Sequence, residues 1–257
     1  MAVTRKTFLV NNASWMLVVA LVLLWEFICV SLNVPRYLFP APTAVWEAGV
    51  ARWEIISKHA IQTFFTTMVG FGIAVVFGLL TGMAVGTSPM VYRALYPLMI
   101  GFNSIPKVAF VPVLVVWFGI GTTPAILTAF SISFFPVMVN VATGLATLEP
   151  ELEDVLRSMG ASKLDILRKV GLPRSMPYFF ASLKVAITLA FVGSVISETV
   201  ASNLGIGYLM MAASSSMDMP LVFAGLIVIG LMGVVMYELF AFLEKRLTGW
   251  ANRGSDI

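Results

Sequence analysis

Residues 149–177 read Glu-Pro-Glu-Leu-Glu-Asp-Val-Leu-Arg-Ser-Met-Gly-Ala-Ser-Lys-Leu-Asp-Ile-Leu-Arg-Lys-Val-Gly-Leu-Pro-Arg-Ser-Met-Pro, the one long water-loving stretch in an otherwise oily chain. Pro150 suits a first helical position, and Glu151, Glu153 and Asp154 place acid at the positive end of a helix dipole. Leu152, Val155, Leu156 and Met159 then recur at helical spacing as one apolar stripe. Gly160 can adopt the left-handed conformation that ends a helix, and Ser162 with Asp165 three residues on resembles a capping box. Gly171 followed by Pro173 is expected to end a second short helix. The spacing thus predicts a compact helical hairpin outside the bilayer, with an apolar stripe that needs something to pack on.

The rest of the chain sets that hairpin in a membrane. Of 257 residues, 59% are hydrophobic and 11% charged, against roughly 25% charged in a soluble globular protein; the mean hydropathy is +0.95. Apolar runs of ~18–25 residues predict spanning helices rather than the shorter strands of a barrel. The fold expected is an all-α polytopic membrane protein with six transmembrane helices. One cysteine, Cys29, excludes an internal disulfide and a cysteine-based metal cluster.

Trp15 to Leu32 is longer than the core of a secretory signal, so it reads as span one, with Glu26 facing protein or an interface. After Pro35, Pro40 and Pro42, Thr43 begins an expected interfacial elbow helix carrying Val45, Trp46, Val50, Trp53 and Ile56 on one face. Span two, about 61–86, has Gly70, Ala74, Gly78, Gly82 and Gly86 at intervals of four, a ridge suited to close helix packing. That ridge fits either a moving, dimer-facing helix or static packing.

Span three, 92–120, is interrupted by Pro97, Pro106 and Pro112, with Asn103, Ser104 and Lys107 beside the central break. Broken backbone at membrane depth is tolerated where it lines a watery cavity or is buried in protein. This makes the break a candidate substrate path, in which Lys107 would favour an anion or else reach an interface or pair with an acid. Gly119, Gly121 and Pro124 turn into span four, 123–148; spans five and six cover 178–202 and 221–243. Glu198 and Asn203 near the far end of span five complete the candidate pathway set. The domain expectation is residues 1–60 as first span and elbow, 61–245 as a core of five spans with the 149–177 segment, and 246–257 as a tail.

Six spans put both termini on one side. The termini, the 87–93 turn and the 149–177 segment carry eleven Lys and Arg, whereas the opposite face has Arg36, Arg52 and Lys58. The asymmetry predicts cytoplasmic termini and a cytoplasmic hairpin, and the pI of about 9.1 reflects topology rather than nucleic-acid binding.

The hairpin resembles the cytoplasmic signature of ATP-binding-cassette (ABC) importer permeases: an acid-Ala-Ala run, three residues, Gly, nine residues, then Ile-x-Leu-Pro. Asp154, Val155 and Leu156 hold the first places, Gly160 the glycine, and Val170, Gly171, Leu172 and Pro173 the end. Asp replaces Glu, Val and Leu replace the alanines, and Val replaces Ile. Phe39–Val45, Ile105–Gly121 and Ile196–Leu209 resemble the nitrate, sulfonate and taurine branch of the same family.

The resemblance implies a type I importer fold in a bacterial inner membrane, with Asp154, Val155, Leu156, Met159, Gly160, Ala161, Leu172 and Pro173 forming a coupling helix. It implies two copies of this chain, two ATP-binding subunits that hold ATP and Mg, and an external substrate-binding protein. The chain itself would carry no cofactor and no catalytic residue. Its cargo would be a small polar organic compound or oxyanion. An ion-coupled secondary transporter using Glu26, Lys107, Glu198 and Glu238 is the alternative, although no internal repeat accompanies it. An enzyme finds no support: His59 stands at the expected external end of span two without a nucleophile or metal-ligand spacing, and no phosphate-binding loop occurs.

Overall fold

A computed structural model describes residues 2–146 and 150–248, and side chains from Met16 onward except those of Pro89, Tyr96, Ala146, Pro150, Glu151, Glu153 and Lys163. The side chains of Arg5 and Lys6, the start of the hairpin at 147–149, and the tail from 249, with Arg253, lie outside the described residues. Eleven helices follow in order: α1 (Ala2–Ser31), α2 (Pro42–Ala51), α3 (Trp53–Gly86), α4 (Pro89–Ser104), α5 (Val111–Phe118), α6 (Thr122–Ala146), α7 (Pro150–Ser158), α8 (Lys163–Ile166), α9 (Leu172–Ala201), α10 (Ile206–Ser215) and α11 (Met219–Thr248). No strand occurs among the described residues.

Among the described residues, four helices are long and apolar enough to cross a membrane: α3, α6, the continuous α8–α9 and α11. The bent pair Met90–Ser104 and Lys107–Phe118 makes a fifth. The described apolar part of α1, Met16–Ser31, is shorter than the ~20 residues a full crossing takes.

The chain divides into two compact units. The first holds Met1–Lys58 and Leu209–Val228. Here the acid expected to avoid lipid finds a backbone: the Glu26 carboxylate accepts from Thr43 N–H (3.0 Å) and Thr43 Oγ1 (2.9 Å), at the start of α2. A carboxylate there meets both the free N–H groups and the positive end of the helix. Trp25, Phe39 and Phe223 pack as a trio with centroids 5.4–5.8 Å apart, and Arg52 pairs with Asp218.

The elbow departs from expectation. It ends at Ala51, and Trp53 and Ile56 belong to α3; Val45 and Ile56 are buried while Trp46, Val50 and Trp53 are exposed, so the five do not share one face. Ten residues end at Arg52 because the chain there leaves helical geometry (φ −118°, ψ 23°) before α3 starts.

The second unit, His59–Tyr208 with the chain from Ile229 onward, is built on α3, α6 and α9. The glycine ridge of α3 lies on α6 within the same chain. A Cβ at Gly70 would come within 2.6 Å of the Ala129 Cβ, one at Gly78 within 2.8 Å of the Val137 Cβ, and one at Gly82 within 2.7 Å of the Met138 carbonyl. In this structure these glycines serve close packing within one chain. On the other side of α6, Gly193 of α9 meets the Ala129 backbone and Gly144 meets Ser175. Phe71, Val141, Leu183, Ile187, Phe191 and Met236 fill the resulting core. Lys184 of α9 and Glu244 of α11 pair at 2.5 Å.

Span five also differs from its expected form. Gly171 and Pro173 do not stop a helix; Gly171 is right-handed (φ −61°), and Leu167–Gly171 widens into a π turn that runs on into α9. Proline lacks an N–H and its ring collides with the carbonyl four residues back, and a π turn relieves both by changing the register. The hairpin is consequently α7 plus the extended start of span five.

Gly82→Val should lower the yield and melting temperature of folded protein, because the β-branched side chain has no room between α3 and α6. A cost of about 1–3 kcal/mol is expected, read by thermal unfolding in detergent, whereas Gly72→Ala, where a Cβ meets nothing within 4 Å, should be neutral.

Candidate coupling surface and transport path

The coupling segment is shaped by its caps. α7 ends with the Gly160 N–H on the Arg157 carbonyl (2.9 Å) and the Ala161 N–H on the Leu156 carbonyl (3.0 Å), with Gly160 at φ +85°. This paired closure requires the left-handed glycine. Ser162 then accepts from the Asp165 N–H (3.1 Å) and donates to the Asp165 carboxylate (2.5 Å), which also pairs with Lys169 at 3.2 Å. The caps expected from sequence are thus formed.

They leave two apolar side chains of the stripe unpaired, Val155 at 55% and Met159 at 77% exposure, whereas Leu152 and Leu156 are half-buried. Asp154 is exposed and Ala161 half-buried. A depression of about 370 Å³ beside Met159 and Gly160 is floored by Leu156, Ile166 and Val170. Leu172 and Pro173, at the far end, are half-buried in the first turn of α9.

The broken third span is observed as expected. Ile105 is extended (φ −74°, ψ 126°), the conformation that a following proline imposes, and the two halves meet at 72°. Lys107 opens a 3₁₀ turn, Lys107–Phe110, and folds back to donate to the Asn103 carbonyl and the Asn103 Oδ1, each at 2.7 Å. Its ammonium stands 6.0 Å from the Phe135 ring centroid. Lysine thereby repairs one of the helix-end carbonyls that the break frees. The Ser104 hydroxyl turns back to the Ile100 carbonyl (2.9 Å), so Asn103 and Lys107 are the polar pair at the bend. Phe102, next to Asn103 in the chain, is strongly exposed, as are Val116 and Trp117 toward the end of α5.

Glu198 has other company. It is 1% exposed and accepts from Thr63 Oγ1 (2.7 Å), Thr66 Oγ1 (3.0 Å) and the Gly207 N–H (3.4 Å). Thr63 also accepts from the Ile206 N–H at 2.8 Å, and His59 Nδ1 accepts from the Gly205 N–H at 3.0 Å. Lys107 and Glu198 therefore satisfy different partners and do not pair. Asn203 is exposed in the turn between α9 and α10.

His59, Thr63 and Thr66 were missed as a group by sequence reasoning. Their signal was polar residues at intervals of four and three on one side of an otherwise apolar span, the pattern of interhelical hydrogen bonding. His59 was weighed only as a possible catalytic group.

Comparison with known proteins places this architecture. Residues 74–249 match the model of the family described as binding-protein-dependent transport system inner membrane component. The chain is 28% identical over 234 residues to a formylaminopyrimidine transport permease of Halalkalibacterium halodurans, covering 91% of this chain and 93% of that one. It is 29% identical over 241 residues to the taurine transport permease of Escherichia coli, covering 91% and 87%. In fold it is similar to a chain of the MetNI methionine ABC transporter, at a TM-score of 0.67 and 18% identity, covering 77% of this chain and 98% of that one. With the family model spanning most of the chain, the protein belongs to the inner membrane permease components of binding-protein-dependent ABC importers.

Proposed function

We propose that two copies of this chain form the membrane pathway of an ATP-driven importer that moves a small polar organic compound or oxyanion into the cytoplasm. The observation that carries the reading is the capped α7 hairpin, which presents Val155 and Met159 to solvent and is joined by the short Gly160 turn to the helix that continues as span five. Exposed apolar side chains on a rigid knob suit a partner groove. The sequence holds no phosphate-binding loop, so each knob would dock on a separate ATP-binding subunit that holds ATP and Mg.

In this scheme nucleotide-driven closure draws the two knobs together, and the α8–α9 helix carries the displacement into the bilayer. The spans rock from an inward-open to an outward-open arrangement, hydrolysis resets them, and an external binding protein supplies cargo. The charge asymmetry supports cytoplasmic termini. The domain roles follow: residues 1–60 anchor, 61–245 carry transport and coupling, and 246–257 form a cytoplasmic tail.

The cargo class rests on the bend. Lys107 beside Asn103, with the Phe135 ring 6.0 Å from its ammonium and exposed Phe102 next to Asn103 in the chain, offers a cation with aromatic surface and suits a small anionic or planar polar solute. The relatives named for a formylaminopyrimidine and for taurine are compatible with that range. Glu198, held by α3 and the 205–207 turn, supports positioning rather than contact with cargo.

Mild-detergent purification of the tagged chain, followed by mass spectrometry, should recover an ATP-binding subunit in equal amount; a stable complex without one would overturn the importer reading. Gly160→Val places a β-branched residue at φ +85°, and should cut uptake about tenfold or more while membrane abundance stays within about twofold, since strain of ~1–3 kcal/mol falls on the cap alone. Lys107→Gln should reduce uptake of the ligand recovered with the binding protein and leave the ATP-binding subunit attached. Unchanged uptake would remove Lys107 from the path.

A further inference from the structure

Helix α10 starts at Ile206 behind Gly205, a residue with no side chain to cap it. Its three leading N–H groups are instead received one by one: Gly205 by His59 Nδ1, Ile206 by Thr63 Oγ1 and Gly207 by Glu198 Oε2. Two acceptors come from α3 and one from α9. The acceptor role of His59 Nδ1 sets the imidazole proton on Nε2, and its ring stacks on Tyr208 at 5.9 Å. Thr63 and Thr66 close the arrangement by donating to the two Glu198 oxygens.

The space is filled to the limit. A Cβ at Gly205, which is at φ +109°, would overlap the Glu198 carboxyl, and one at Gly207 would overlap the Val195 carbonyl. Three segments, the α3 face at 59–66, the end of α9 and the turn 205–207, therefore meet through one buried carboxylate. Hydrogen bonds weaken steeply with distance and angle, so a shift of about 1 Å between α3 and α9 breaks several at once. Such a node is either closed or open, because packed interiors do not stretch continuously.

We propose that Glu198, Thr63 and His59 are positioning residues for transport: they latch the 205–207 turn to α3 and α9 in the resting protein, and the latch opens when nucleotide binding displaces α9. The inference rests on the importer reading given above, in which the continuous α8–α9 helix follows the coupling knob across the Gly160 turn. Glu198 lies at the opposite end of that helix, about 40 Å from Leu172 at 1.5 Å per residue. A push at the knob reaches the latch through a continuous rod.

Amide hydrogen exchange of a peptide covering 203–210 and nucleotide hydrolysis, measured on the complete transporter in lipid nanodiscs, test this. In the wild type, the amides of 205–207 should be protected without nucleotide and exchange about tenfold faster once the complex is trapped with ADP and vanadate. Thr63→Ala and Glu198→Gln should show fast exchange without nucleotide and basal hydrolysis raised about threefold, since the resting state loses its latch. Thr63→Ser, which keeps the hydroxyl, should restore both values.

Equal protection in the trapped and nucleotide-free wild type overturns the latch whatever the variants do. Faster exchange in the variants with unchanged basal hydrolysis also overturns it, leaving a purely structural node. A wild-type complex that binds no ATP-binding subunit overturns the importer reading and the latch together.

Discussion

A backbone N–H or C=O left unpaired in hydrocarbon costs several kcal/mol, and the irregular places in this chain are arranged around that constraint. Two intramembrane glutamates answer it in the same way. Glu26 receives the start of α2 through Thr43, and Glu198 receives the start of α10 through Gly207. Each carboxylate is in turn supplied with hydroxyl donors, from Thr43 in one case and from Thr63 and Thr66 in the other. Of the charges that on the sequence could suit an ion relay, Glu26 and Glu198 are in space helix-start acceptors and Lys107 donates to a helix-end carbonyl.

The same constraint explains the breaks. At Ile105 the chain leaves helical geometry ahead of Pro106, and Lys107 returns to the freed Asn103 carbonyl. Before Pro173 the chain takes the other solution, a π turn that keeps the helix continuous. The difference matters mechanically. The third span becomes two pieces at 72° with polar groups at the joint, whereas span five stays a single rod from Leu164 past Glu198. A bend suits a path for solute, and a rod suits transmission of force.

Between these elements the association energy comes from contact, since lipid is as apolar as the side chains. Gly70, Gly78 and Gly82 bring α3 onto α6, and Gly193 brings α9 onto the opposite side of α6. The three helices thus form a tightly packed core, while the α7 knob, with Met159 bare, is excluded from it. A tightly packed interior thus stands beside a hairpin whose apolar side chains are left exposed.

Features that depend on a few neighbouring residues could be read from the chain: the membrane class from composition, the cap at Gly160, the box at Ser162 and Asp165, the break at Pro106 and the family-like spacing from Gly160 to Pro173. Each is a matter of local backbone chemistry, which acts within a turn or two. The elbow face and the stop at Gly171 were misread because periodicity and proline rules leave a choice, made by the neighbouring packing: a helix can end, shift register or widen. Which helix the glycine ridge touches, and which backbone atoms Glu26 and Glu198 receive, depended on the pairing of segments far apart in the chain, with His59 and Gly205 separated by 146 positions. No local rule carries that information, because a buried acid requires partners without specifying from which helix they come.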